Sequence, residues 1–312
     1  MRGERLRSRG GPGRARTVVA AVTAAVLAGT GVLTGCTSSG PASSDSSAEA
    51  ARPSPRPTPV WDRSPSSVAA VGDSITRGFD ACGVLADCPE VSWATGTDRA
   101  VRSLAYRLLG SPPAELLAEK TWNFSETGAR MADLPAQMAR AAQHEPELVT
   151  VLAGANDACR NSAQRMTPVD TFKSSFEASL RQLRASAPKA QVYVSSVPDL
   201  KRLWSTGRGN PLGRQVWKLG ICASMLGDSQ DDSEAAEERR DLVYERVVAY
   251  NGALRDVCAK DKRCRYDGGE VFAFRFSGKQ LSPWDWFHPS KNGQGRLAEI
   301  AYRNVTAARP PA

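Results

Sequence analysis

Four short segments of this 312-residue chain hold side chains able to act on an ester carbonyl. They are Gly72-Asp73-Ser74-Ile75-Thr76-Arg77-Gly78, Asn123-Phe124-Ser125-Glu126-Thr127-Gly128, Gly154-Ala155-Asn156-Asp157 and Asp285-Trp286-Phe287-His288. A serine hydroxyl becomes a useful nucleophile only when a base removes its proton. Near neutral pH that base is most naturally histidine. The chain has two, His144 and His288. His144 lies just before an apolar run, at what should be the opposite end of a sheet, which leaves His288. Asp285, three residues earlier, is spaced to accept from the other ring nitrogen and fix the tautomer. A tetrahedral oxyanion needs donors held in place. The Ser74 and Gly128 backbone N–H groups and the Asn156 amide are candidates, and glycine at 128 suits close approach of backbone to substrate. Each segment alone has a plainer reading: Gly, Asp and Ser form turns, Asn-Asp caps helices, and a histidine often sits at a surface. Their order, and the position of three of them just past apolar runs, favours the joint reading.

Those segments need a scaffold that gathers them. Apolar runs at 68–71, 121–124, 148–152 and 191–197 read as strands, and 271–276 looks extended. Helical spacing appears at 101–109, 132–143, 169–187, 234–258 and 293–305. Strands alternating with helices imply a parallel sheet covered on both faces, with working residues at the carboxyl ends of the strands. Residues 201–233 show no clear period and read as an insertion, a lid or substrate wall. Trp93, Trp204, Trp217, Trp284 and Trp286 are candidates for lining a site, although core or rim packing is the commoner role of tryptophan.

Taken together, the four segments resemble the SGNH (GDSL) hydrolase family over residues 67–305. The resemblance implies a flavodoxin-like three-layer α/β/α sandwich with a mostly parallel five-stranded sheet, and ester hydrolysis by a Ser-His-Asp triad. It makes Ser74 the nucleophile, His288 and Asp285 its partners, and Ser74, Gly128 and Asn156 the oxyanion hole. Asp73 and Asp157 become supporting residues. Asn156-Asp157-Ala158-Cys159, Ser92-Trp93-Ala94-Thr95-Gly96 and Trp286-Phe287-His288-Pro289-Ser290 further resemble a phospholipase B-like branch. The substrate expected is then a lipid or lysophospholipid ester, with a cell-wall or carbohydrate acetyl ester as the alternative. A non-catalytic binding lipoprotein is the reading from a different class. A monomer is expected, with no cofactor and no metal.

From charge and cysteine usage we expect this domain to lie outside the cytoplasm. The net charge of +8 is concentrated at the start, where six arginines face one acid in residues 1–16. An uncharged run over 17–35 follows, ending Leu33-Thr34-Gly35-Cys36, which resembles a lipobox. We therefore expect a lipoprotein signal over 1–35, lipidation of Cys36, and a Ser/Pro-rich tether over 36–65 that carries the 66–312 domain on the extracytoplasmic face of a bacterial membrane. A plain signal peptide or a permanent anchor is the competing reading; Gly and Thr interruptions in the short run argue against a span. Residues 36–312 carry 35 basic and 32 acidic side chains, so no nucleic-acid partner is expected. Setting Cys36 aside leaves Cys82, Cys88, Cys159, Cys222, Cys258 and Cys264, an even set suited to three disulfides. Six cysteines allow fifteen connectivities; the spacing favours 82/88 and 258/264, which leaves 159 with 222. No C-x-x-C knuckle or His-Cys cluster suggests zinc.

Overall fold

The computed structural model describes residues 61–311. The readings of an export signal over 1–35, of Cys36 as a lipid site and of a tether up to residue 60 lie outside the described residues. Strand β1 (Val68–Gly72) is wholly buried and runs into α1 (Ser74–Arg77). After α2 (Leu104–Leu108) and α3 (Ala114–Ala118) come β2 (Thr121–Asn123) and α4 (Leu134–Ala142). The wholly buried β3 (Leu148–Leu152) leads into α5 (Ala155–Ala158), α6 (Val169–Ser186) and β4 (Gln191–Val194). Three short helices follow: α7 (Leu200–Gly207), α8 (Pro211–Trp217) and α9 (Ala223–Leu226). The chain ends with α10 (Glu234–Cys258), β5 (Cys264–Tyr266), α11 (Glu270–Ala273) and α12 (Lys291–Thr306).

All five strands are parallel, in the order β2-β1-β3-β4-β5. Continuous apolar strands such as Val68-Ala69-Ala70-Val71 are what a sheet covered on both faces demands. Helices α4, α6 and α10 pack together in one layer, where Phe172 stacks on Tyr250 at 4.1 Å. Tyr193 of β4 faces the other layer, meeting Trp93 and the Asn304 side chain of α12. The result is the expected three-layer α/β/α architecture. Chain order reverses between β1 and β3, and ligand sites in such sheets open at the carboxyl ends of the strands flanking that reversal.

Three local expectations need correction. The fifth strand is Cys264–Tyr266, not 271–276. Asp267 accepts N–H bonds from Gly269 and Val271, and Ser196 Oγ accepts from Phe272, so the apolar run starts as a helical turn. The folded chain also begins before residue 66: the Trp61 indole donates to Val305 O, and the Arg265 guanidinium lies 4.2 Å over its ring. Finally, 201–233 is helical. Its helices are too short to show a period, and each starts on its own cap or bridge: Asp199 and Asn210 accept N–H bonds from Arg202 and Gly213, and Cys222 precedes α9. Trp204 anchors this segment between the guanidinium groups of Arg208 and the fully buried Arg240. Among the described residues, no helix is long and apolar enough to cross a membrane.

The disulfides are Cys82–Cys88, Cys159–Cys222 and Cys258–Cys264. The second spans 63 residues and ties the insertion to the end of α5; the other two each span 6. Closing the long loop restricts the unfolded chain more, by about 4 kcal/mol against about 2 for a short one. The double variant Cys159→Ser/Cys222→Ser should therefore lower the denaturation midpoint clearly more than Cys258→Ser/Cys264→Ser. Urea titration of both variants measures the difference.

Candidate active site

The site begins with a contact between neighbouring strands. Gly72 of β1 pairs with Leu152 of β3. A Cβ on Gly72 would meet the Leu152 carbonyl oxygen at 2.1 Å, and its φ of +149° is one that other residues rarely adopt. Gln137 of α4 clamps the same residue, accepting its N–H at 2.7 Å and donating to its carbonyl at 3.0 Å. Asp73 then caps α1, its Oδ1 accepting the Ile75 N–H at 3.0 Å. Ser74 is thus the first residue of a single helical turn at the carboxyl end of the sheet.

Ser74 Oγ lies 2.9 Å from His288 Nε2, across 214 residues of sequence. His288 Nδ1 lies 2.5 Å from Asp285 Oδ2, and the other Asp285 oxygen accepts the backbone N–H groups of Phe287 and His288 at 2.9 and 3.0 Å. The ring is held edge-on by Phe79 and Phe287. Ser282 closes the 282–288 loop: its N–H donates to His288 O at 2.7 Å and its Oγ donates to Asp80 O at 2.7 Å. Trp217 of α8 donates its indole N–H to Asp285 O at 2.7 Å, so the insertion holds the acid in place. His144 sits elsewhere, stacked 4.7 Å from Trp122.

Gly128 and Asn156 line the same cavity as Ser74 and His288. The Gly128 backbone has φ +85°, a left-handed turn that leaves the space beside it open. Among the described residues, neither the Ser74 nor the Gly128 N–H has an acceptor. The Asn156 amide donates one hydrogen to Ala129 O at 2.9 Å and keeps a second. Next to it, Asp157 accepts the Met131 N–H at 2.8 Å. Adjacent side chains on α5 therefore fix the 128–131 loop from two sides. Three donors thus face one space beside a serine–histidine pair, which is the arrangement acyl transfer requires.

The site is acidic and buried. Burial works against the charged form of His288, but the Asp285 charge and hydrogen bond outweigh it, with Asp80 and Asp73 adding, so the ring lies above its ordinary 6.5. Asp285 is also opposed by burial, yet His288 and two backbone N–H groups hold it below the usual aspartate value. Asp73 differs: burial pushes it from 3.8 up to about 7, and its Oδ2 has no partner. Burial likewise raises Asp157, whose Oδ1 is also unpartnered.

The cavity at Ser74 measures about 270 Å³ and is walled by Ile75, Leu200, Leu203, Ile221 and Phe287 beside the Cys159–Cys222 bridge. None of the five candidate tryptophans lines it. Trp93, Trp204 and Trp217 are buried, Trp284 is exposed, and Trp286 packs against Gly207 and Gly213. A larger cavity of about 740 Å³ follows β5 between Arg255 and Phe272, but it holds no nucleophile–base pair. Asp80, Gln137 and Ser282 escaped the sequence reading because none belongs to a spaced motif, and Trp217, a candidate wall residue in the sequence, instead supports Asp285. Only the fold brings them to the site.

Asp73 makes stability depend on pH. A carboxyl raised in the folded state gives its full contribution below its unfolded value of 3.8, and this contribution is lost as pH rises through about 7. Asp73→Asn cannot ionise. Its melting temperature relative to the native protein should therefore rise between pH 4 and pH 8, as thermal melts across that range would record.

The family model described as the GDSL-like Lipase/Acylhydrolase family matches residues 70–296. No curated protein sequence matches the chain. Solved structures similar to it include a GDSL-like lipase from Parabacteroides merdae, at 17% identity and TM-score 0.49, covering 78% of this chain and 96% of that one. Phospholipase A1 from Streptomyces albidoflavus aligns at 20% identity and TM-score 0.43, covering 78% and 100%. A family 3 carbohydrate esterase from Clostridium thermocellum aligns at 17% and 0.43, covering 76% and 93%. The matched span runs from β1 into α12 and takes in all four chemical segments, and the chain belongs to the GDSL-like lipase/acylhydrolase family.

Proposed function

We propose that this ester hydrolase works through Ser74, His288 and Asp285, and that its substrates are lipid or lysophospholipid esters. The observation that carries the mechanism is the Ser74–His288–Asp285 hydrogen-bond chain, buried beside three available donors. His288 Nε2 takes the proton as Ser74 Oγ attacks the ester carbonyl. The oxyanion gathers the Ser74 and Gly128 N–H groups and the second Asn156 hydrogen. His288 returns its proton to the departing alcohol, leaving an acyl-serine. Water, activated by the same ring, then attacks the acyl carbon and releases the acid. Asp285 keeps the ring in the correct tautomer and balances its transient charge.

The cavity supports the choice of acyl group. A water-sized group occupies about 30 Å³, so a tail of several carbons fits the space of about 270 Å³, whereas an acetyl methyl fills little of it. Most of its wall away from Ser74 is apolar, from Ile75, Leu200, Leu203, Ile221 and Phe287. Residues 1–35 as an export signal and Cys36 as a lipid site are part of the same proposal: an anchored enzyme meets its substrate in or near a membrane. The support for that part is the basic segment, the uncharged run and Leu33-Thr34-Gly35-Cys36.

Purified protein should hydrolyse p-nitrophenyl butyrate and octanoate faster than the acetate, and a fluorophosphonate should label it. Ser74→Ala should abolish both, and Asn156→Ala should lower kcat by about 10²–10³-fold. Since His288 must be neutral to act as base, activity should climb with pH through a midpoint above 6.5. A preference for acetate would overturn the lipid-ester reading, and an active, labelled Ser74→Ala would overturn the mechanism. In a bacterial host, Cys36→Ser should move the protein from the membrane fraction to the soluble fraction.

A further inference from the structure

Behind the serine–histidine–aspartate chain stands a fourth buried side chain, Asp80. Its side-chain oxygen lies within 4.8 Å of both an Asp285 carboxylate oxygen and a His288 ring nitrogen, and all three residues are buried. Asp80 is firmly held. Its N–H donates to Ala86 O at 3.0 Å, and its own carbonyl accepts from Ser282 Oγ. Its Oδ1 accepts the Leu85 N–H, and the loop is closed by Cys82–Cys88. The backbone at Asp80 takes φ +56°, a left-handed conformation that aspartate tolerates better than most residues but still at a cost. Nothing in the Ser74 chemistry proposed above uses it.

Two buried carboxyls this close do not both ionise readily, and one of them holds its proton to higher pH. The hydrogen bonds indicate which. Asp285 receives His288 Nδ1–H and two backbone N–H groups, whereas Asp80 receives one. The anion belongs on the better-supported partner. We propose that Asp80 is a positioning residue: a buried carboxylic acid that donates its proton to the Asp285 carboxylate, so that one negative charge rather than two stands behind His288. The proposal rests on Ser74, His288 and Asp285 being the reacting set.

The charged groups acting on Asp80 agree with this assignment. Burial, the Asp285 charge and a hydrogen bond between the two carboxyls push it up to about 6, while the Leu85 N–H and His288 pull the other way. Asp73 also acts on His288. As pH rises past about 6, Asp80 ionises and begins to hold the proton on His288. The native enzyme should therefore gain activity over a broad pH interval. Asparagine reproduces the same pattern, with its oxygen accepting from Leu85 and its amide donating to Asp285, but it never ionises.

The test compares Asp80→Asn and Asp80→Ala with the native enzyme and Ser74→Ala, following kcat/KM for p-nitrophenyl butyrate from pH 5 to 9. Asp80→Asn should remain active, with an acid limb that is steeper and displaced to lower pH by about half a unit. Asp80→Ala, which leaves Asp285 without this donor, should be at least about tenfold less active than Asp80→Asn at every pH. An Asp80→Asn limb that coincides with the native one, or Asp80→Ala as active as Asp80→Asn, would overturn the proposal. Activity surviving in Ser74→Ala would instead overturn the mechanism beneath it, so the two failures are distinct. Should Asp80→Asn not fold, carbon-13 NMR of the native protein labelled at aspartate carboxyls decides the question. The Asp80 carbon should still report a protonated acid at pH 5, and an ionised one there refutes the assignment.

Discussion

The close approach of Gly72 to the Leu152 carbonyl governs the site. Parallel pairing sets β1 and β3 in register, and both strands then end at the same level. The residues just past the two ends are forced outward at one place: Asp73 and Ser74 from β1, and Ala155, Asn156 and Asp157 from β3. The Cβ of any other residue at 72 would collide with the backbone of β3, so the strands would have to separate or the turn would have to move. Either change carries Ser74 Oγ away from His288 Nε2, and a displacement of about 1 Å is enough to cost a large factor in rate. Gln137 reinforces the constraint from the helical layer by bonding both backbone groups of Gly72. A packing requirement in the sheet thereby becomes a positional requirement on the nucleophile.

Electrostatics imposes the second requirement. Asp73, Asp80, Asp157 and Asp285 are all buried near the carboxyl end of the sheet, and among the described residues none makes a salt bridge to a lysine or arginine. Four anions there would be expensive to desolvate. The fold resolves this by giving support unequally. Asp285 has the histidine and two N–H groups and stays ionised, while Asp73 and Asp157 each leave an oxygen unpartnered and are raised by burial. The single well-supported charge lies where it polarises His288. Burial makes the neighbouring acids slower to ionise than an exposed aspartate, and each that keeps its proton leaves the ring proton less tightly bound.

The chemistry was more legible in the sequence than its supports. Ser74, Asn156 and His288 stand out because each sits in a short segment of turn-forming or rare residues, and a chain with two histidines offers little choice of base. Strands β1 and β3 were clear as continuous apolar runs, whereas β5 was not: Cys264-Arg265-Tyr266 is three residues long and half polar, and an edge strand needs no apolar run. The 201–233 segment was opaque for a related reason. Helices of four to eight residues complete too few turns to print a period, and their caps resemble ordinary turns. Asp80, Ser282 and the Trp217 bond to Asp285 were invisible because these roles consist of contacts with residues far away in sequence, 68 positions in the case of Trp217 and Asp285.

That last bond gives the insertion a role beyond forming a wall. Residues 200–226 contribute Leu200, Leu203 and Ile221 to the cavity, so they shape what enters. Through Trp217 the same segment grips the Asp285 carbonyl, and through Cys159–Cys222 it is fastened to the helix that presents Asn156. The cavity wall, Asp285 and Asn156 therefore belong to one cross-linked unit. A wall that swung freely would shift Asp285 and the Asn156 helix together, and the geometry for catalysis would change with every opening. The covalent bridge makes the opposite arrangement the stable one. The cavity beside Ser74 is thus walled by a segment joined covalently to the end of the helix that carries Asn156.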